Sequence, residues 1–281
     1  MRSTVLNIAF VGWTLSIAAV ALVVTFVDRT PKSMRWMLRR WARGSQFLTR
    51  NIIGAKIEIR GLEQFKDGER PALIVSKHQS ELDTFFPLDI YPDLAAIAMK
   101  ELERYPLIGP VIRKLEYILV SVDGGRKNHL RDVVEGAQRV YAEGRPILIY
   151  PEGELMRIGS RQRYRSGVFH IYEALGAPAH PVALSCGLIW PKREWRKNIG
   201  RTCVIEFMEP IPPGLDKDTF MREIEIRIET RTMELIEEHG DPEQIAAARE
   251  RHRLGLTNDD NERVGELGTS AQRGRRASAD A

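Results

Sequence analysis

The chain has 281 residues, 43% of them hydrophobic, which is enough for one large domain or two small ones with a packed core. A net charge of only +4 does not mark a nucleic-acid binder, and the basic residues are unevenly placed. Two cysteines, Cys186 and Cys203, exclude a disulfide framework, fit a reducing compartment and leave no zinc-type Cys/His spacing.

The first element is the uncharged stretch Val5 to Val27. As a helix it would measure roughly 35 Å, enough to cross a bilayer core. It lacks the short apolar core and small-residue cleavage site of a signal peptide. Residues 1–30 are therefore expected as a retained transmembrane anchor. Only Arg2 precedes the apolar stretch, whereas Arg29, Lys32, Arg35, Arg39, Arg40 and Arg43 follow it. That asymmetry predicts a single-pass protein of the inner membrane with its body on the cytoplasmic face. Residues 31–52 read as an amphipathic helix. Met34, Met37, Leu38, Trp41 and Leu48 lie on one side, and Arg35, Arg39, Arg43 and Arg50 on another. Basic residues opposite Trp and Leu suit a helix lying on anionic lipid. The plainer alternative is a helix packed on its own domain.

The body, 53–240, alternates strand and helix signals. Lys56–Arg60 alternates like a half-buried strand, and Ala72–Val75 is a compact apolar run. Leu94–Met99, Tyr117–Val122, Pro146–Tyr150, Pro181–Leu184 and Cys203–Phe207 complete the strands. Helices are expected over Asn128–Glu143, Val168–Leu175 and Lys217–His239, the first two each closed by a glycine. Strands that are mostly unbroken apolar runs predict an α/β fold, a mostly parallel sheet covered by helices on both faces. Beyond Gly240 the composition turns polar. Residues 241–281 are expected to be a polar tail, disordered from about 255.

The chemistry is concentrated after Ala72–Val75, in Ser76-Lys77-His78-Gln79-Ser80-Glu81-Leu82-Asp83. A neutral imidazole is well suited to take a proton near pH 7, and a carboxylate on its far nitrogen fixes the tautomer. On one continuous helix His78 and Asp83 would point roughly 140° apart. They meet only if the chain turns between them, with His78 in a loop, Ser80 as N-cap and Asp83 in the first helical turn. The alternative is that Ser80 and Asp83 merely form a capping box.

Three further polar blocks end predicted strands. They are Lys100-Glu101-Leu102 with Pro106 and Gly109; Tyr150-Pro151-Glu152-Gly153 with Tyr164-Arg165-Ser166-Gly167; and His180-Pro181-Val182-Ala183. In this order and spacing, over about residues 55–210, the chain resembles the glycerolipid acyltransferase family, whose best-known members are 1-acylglycerol-3-phosphate acyltransferases. The resemblance implies acyl transfer from a thioester, acyl-CoA or acyl carrier protein, to a lysolipid hydroxyl. No cofactor or metal is expected, and basic residues concentrated beside the apolar anchor suit anionic lipid, not nucleic acid. His78 matches the family's general base, Asp83 its orienting partner, Lys100 a basic residue near the site, and Glu152 and Gly153 the pair tied to acceptor binding and site architecture. The chain departs where the family reads Glu-Gly-Thr-Arg, having Glu154 and Leu155 for the last two, and has Gly124 where the family has Asp-Arg. The nearest replacements for the missing phosphate-binding arginines are Arg126 and Arg157, the second also placed to neutralise Glu154. The expected acceptor is 1-acyl-sn-glycerol-3-phosphate. A lysolipid with an amino-acid head group, such as lyso-ornithine lipid, and a non-catalytic membrane-binding module are the alternatives.

Overall fold

The computed structural model describes residues 1–28, 30–65, 69–104, 109–120 and 126–257. Its centre is a seven-stranded sheet of β1 (Lys56–Arg60), β2 (Leu73–Ser76), β3 (Ala95–Met99), β4 (Ile118–Val120), β5 (Ile147–Ile149), β6 (Ala179–Leu184) and β7 (Thr202–Phe207). The spatial order is β1-β7-β6-β2-β5-β3-β4. Every neighbouring pair is parallel except β6 and β7, which run antiparallel with Val182 opposite Phe207.

Period-two alternation divides the strands between two cores. Leu73, Val75, Ile147 and Ile149 face α5 (Arg126–Ala142), α6 (Gly167–Leu175) and α7 (Lys217–His239) through Val133, Ala137, Val168, Tyr172, Phe220 and Ile224. Ile74, Leu148, Val182, Leu184 and Ile205 face the other way, toward Leu82, Phe85 and Phe86 of α3 (Leu82–Ile90). This explains why the central strands read as unbroken apolar runs: both faces are covered. α4 (Gly109–Leu115) precedes β4 in the chain, and its Leu115 packs with Ala21, Met34 and Met37 of the N-terminal helices.

The second core also takes in the N-terminal helices. α1 (Arg2–Val27) is long and apolar enough to cross a membrane. It packs along α2 (Pro31–Ile53), and Leu6, Ala42 and Ile53 join the sheet-covering cluster. Trp13 Nε1 donates to the Trp41 carbonyl (3.1 Å), and Trp41 Nε1 to Thr14 Oγ1 (3.0 Å). Asn7 Nδ2 donates to the Trp195 carbonyl (2.9 Å) and Lys114 Nζ to the Val24 carbonyl (3.1 Å). The outer flank of α1 exposes Val5, Ile8, Val11, Leu15, Val23 and Phe26.

Two expectations are corrected. The basic side of α2 turns partly to the protein: Arg35 pairs with Glu116 (3.1 Å), and Arg39 and Arg43 both reach Asp89 (3.2 and 2.5 Å). Carboxylates on α3 and after α4 meet these guanidinium groups, so they do not all face outward. Second, residues expected in the polar tail form α8 (Pro242–Leu254). Asp241 accepts from the Gln244 N–H and the Gln244 side chain returns to the Asp241 N–H, a full capping box with Pro242 at the start. Only Ala248 is buried in this helix, packed with Leu188 and Ile236, so it carries no apolar stripe to announce it. Of the tail, 258–281 lie outside the described residues.

Candidate active site

The site forms where β2 and β5 end side by side. Val75 pairs with Ile149 in parallel register, so the loops leaving the two strands emerge together. Ligand sites of open α/β sheets lie at this end of the strands. The chain leaving β2 carries Lys77 and His78, then turns through Gln79–Glu81 into α3. That turn brings Asp83 back to the imidazole.

Asp83 Oδ2 lies 3.3 Å from His78 Nδ1 and also accepts the Ser80 N–H (2.8 Å) and the Gln79 N–H. One oxygen therefore serves both the helix start and the histidine, so the capping contacts and the histidine contact exist side by side. Ser80 contributes its hydroxyl, which accepts the Leu82 N–H at 3.2 Å, although helical geometry starts one residue later than expected, after Glu81. A proton on Nδ1 is needed for the bond to Asp83, which leaves Nε2 as the acceptor nitrogen. The His78 side chain is 17% exposed and Asp83 is sealed, the arrangement a base and its orienting carboxylate require.

Behind the loop lies a buried ionic cluster that sequence reasoning missed. Lys77 Nζ bonds Glu152 Oε1 (2.5 Å), both Glu229 oxygens (2.7 and 2.9 Å) and the Ser160 carbonyl (3.2 Å). Tyr164 donates to Glu229 at 2.9 Å. The other Glu152 oxygen accepts the His78 backbone N–H at 3.0 Å. Burial pushes the Glu152 carboxyl up to about 8; Lys77 opposes this and the nearby Glu229 carboxylate adds to it. Glu152 thus faces inward, bonded to the loop of Lys77 and His78 and not turned to an open pocket. Gly153 follows at φ 77°, a left-handed conformation that favours glycine, with the movable tip of Arg165 lying over it.

The other candidate residues scatter. Lys100 is exposed at the end of β3, which β5 separates from β2. Arg126 opens α5, and its side chain lies outside the described residues. Arg157 does not neutralise Glu154: it reaches Glu194 (3.3 Å), and Glu154 is matched by Lys192 (3.2 Å). Lys192 comes from the loop after β6, which the local spacing around Glu154 could not reveal. Arg165 is exposed against Gly153 and forms no ion pair among the described residues. A cavity of about 270 Å³ adjoins the loop after His78, lined by Gln79, Arg157, Gly187, Lys192, Glu194 and Arg251. α8 supplies one wall. Among the described residues no group of His, Cys, Asp and Glu side chains converges as a metal site would. Cys186 and Cys203 are free and buried, and burial pushes the Cys186 thiol well above its ordinary value, which suits packing and not nucleophilic attack.

A histidine against a sealed carboxylate, at the carboxyl ends of a mostly parallel sheet with a long apolar helix alongside, is an arrangement suited to a group-transfer enzyme that works beside lipid. Comparison with known proteins makes this specific. A family model described as Acyltransferase matches residues 56–185. The 1-acyl-sn-glycerol-3-phosphate acyltransferase of Pseudomonas aeruginosa is 31% identical over 198 residues, covering 70% of this chain and 74% of that protein. The 1-acyl-sn-glycerol-3-phosphate acyltransferase alpha of Homo sapiens is 26% identical over 211 residues, covering 74% and 72%. The crystal structure of the 1-acyl-sn-glycerophosphate acyltransferase PlsC from Thermotoga maritima shares the fold, with a TM-score of 0.65 at 21% identity over 84% of this chain and 98% of that one. The chain belongs to the glycerolipid acyltransferase family and is an acyltransferase.

Proposed function

We propose that the enzyme moves a fatty acyl group from a thioester to the free hydroxyl of 1-acyl-sn-glycerol-3-phosphate, giving phosphatidic acid. The observation that carries this reading is the His78–Asp83 pair, with Nδ1 turned to the carboxylate and Nε2 left as base. His78 takes the hydroxyl proton as the oxygen attacks the thioester carbonyl. The tetrahedral intermediate collapses, the carbon–sulfur bond breaks, and the thiolate takes the proton from the imidazolium. No acyl-enzyme is needed, because the thioester is already activated. The donor is acyl-CoA or acyl carrier protein.

A phosphate-bearing acceptor is supported by the relatives' names and by the Lys192–Glu154 pair, which removes the repulsion that Glu154 would otherwise exert. Arg165, exposed beside the Glu152–Gly153 turn, supplies a guanidinium suited to a phosphate. The competing acceptor is lyso-ornithine lipid, favoured by the replacement of the family's Thr-Arg by Glu154 and Leu155. The apolar outer flank of α1 and the basic residues after it support a location on the cytoplasmic face of the inner membrane, beside anionic lipid.

The test is acyl transfer by purified membranes, offering lysophosphatidate and lyso-ornithine lipid with both donor types, for wild type and His78→Ala. Lysophosphatidate is expected to be preferred, and His78→Ala to lose roughly 10²- to 10⁴-fold. A His78→Ala variant keeping more than half the activity sinks the mechanism. A preference for the amino-acid lipid sinks the acceptor.

A further inference from the structure

Tyr150 touches both members of the catalytic pair. Its ring stacks on the His78 imidazole, centroids 3.9 Å apart and 14° from parallel. Its hydroxyl donates to the Asp83 backbone carbonyl at 3.1 Å. Parallel pairing of β2 with β5 puts the residue after Ile149 beside the loop that carries His78.

The Asp83 carbonyl is available for a specific reason. In an unbroken α-helix it would receive the N–H of the residue four positions on. That residue is Pro87, inside α3, which has no N–H to give. The proline leaves the carbonyl of the orienting residue without its helical donor, and the phenol of Tyr150 takes that place. Burial, with the Asp83 carboxylate adding to it, pushes the Tyr150 phenol well above its ordinary value, so it stays protonated and able to donate.

We propose that Tyr150 is a positioning residue for the base: its hydroxyl holds Asp83 through the carbonyl that Pro87 frees, while its ring fixes the plane of the His78 imidazole and steadies the cation formed when His78 takes the acceptor proton. An aromatic face attracts a cation more than a neutral ring, so the contact strengthens as the proton arrives. Its effect falls on the chemical step and not on substrate binding. The proposal rests on His78 being the base.

The full-length enzyme in vesicles tests it, with steady-state kinetics on lysophosphatidate and acyl-CoA. Tyr150→Phe keeps the ring and removes the hydroxyl. It is expected to lower kcat about fivefold, the worth of one neutral hydrogen bond, with KM within twofold. Tyr150→Leu removes both contacts and is expected to lower kcat about thirtyfold. Pro87→Ala restores an N–H four residues after Asp83. In that background the carbonyl has its own helical donor, so Tyr150→Phe is expected to cost less than twofold. A purely structural tyrosine would show the same loss in both backgrounds. The proposal is overturned if Tyr150→Phe loses nothing, if it raises KM with kcat intact, or if its loss is the same with Ala at position 87. An active His78→Ala variant overturns the base and this proposal together, whereas an inactive His78→Ala beside a fully active Tyr150→Phe overturns this proposal alone.

Discussion

Lys77 is the least expected charge in the molecule. It is sealed from solvent yet lies directly before His78. Its ammonium meets two carboxylates, Glu152 from the loop after β5 and Glu229 from α7, so three separate segments converge on one nitrogen. The cluster holds the loop through Lys77 itself and through the His78 N–H bond to Glu152. Breaking a buried ion pair by removing one partner is far more damaging than never having built it, because the remaining charge has nowhere to go. Lys77→Met leaves Glu152 and Glu229 facing each other without a cation. We expect it to lower stability by about 3–5 kcal/mol, read from urea unfolding. The double variant Lys77→Met with Glu229→Gln should recover part of that loss. A single variant as stable as wild type would mean that the carboxylates are content without the lysine.

At the scale of elements, the fourth polar block shows a different kind of tuning. His180 sits inside β6, its ring beside Phe65 (centroids 5.0 Å apart), and its Nδ1 has no hydrogen-bond partner among the described residues. Burial pushes its imidazole down to about 4. The folded state therefore resists a proton that the unfolded chain accepts near 6.5. Stability from this group is complete above 6.5 and is lost as pH falls from there to about 4, up to about 3 kcal/mol. Melting curves between pH 7 and pH 5 should show the decline, and His180→Leu should flatten it; an equally steep decline in the variant would place the acid sensitivity elsewhere. The same scale shows what a reader of the sequence can recover. The strands were legible because burial on both faces leaves unbroken apolar runs. The turn from His78 to Asp83 was legible because helix geometry forbids the contact otherwise. α8 was not, since its position depends on end caps and one buried alanine instead of an apolar stripe; the signal present was the Asp-Pro-Glu-Gln run at 241–244. The Lys77 cluster was not legible either, because its partners lie 75 and 152 positions away.

At the scale of the whole molecule, α1 has two flanks with different work. The inner flank belongs to the protein. Phe10 packs against Phe85 and Trp190 at 5.9 and 5.2 Å between ring centroids, and Leu6 is sealed in the same cluster. The outer flank is an apolar strip from Val5 to Phe26 that the described residues leave exposed. A strip of this kind needs a nonaqueous neighbour, and a bilayer supplies one. The two flanks should therefore fail differently. Phe10→Ala opens a cavity among aromatic rings and should destabilise the domain by about 3–5 kcal/mol while the enzyme stays with the membrane. Val11→Ser with Leu15→Ser removes apolar surface only from the outer side, and should weaken retention on vesicles while the melting temperature hardly moves. Removing residues 1–28 takes away both functions at once. The truncated chain would expose Trp41, Phe85 and Trp190 and should aggregate unless detergent covers them. A truncated chain that stays soluble, monodisperse and fully folded would show that α1 is a detachable anchor, and that the contacts of Leu6, Asn7 and Phe10 contribute nothing to the domain they touch.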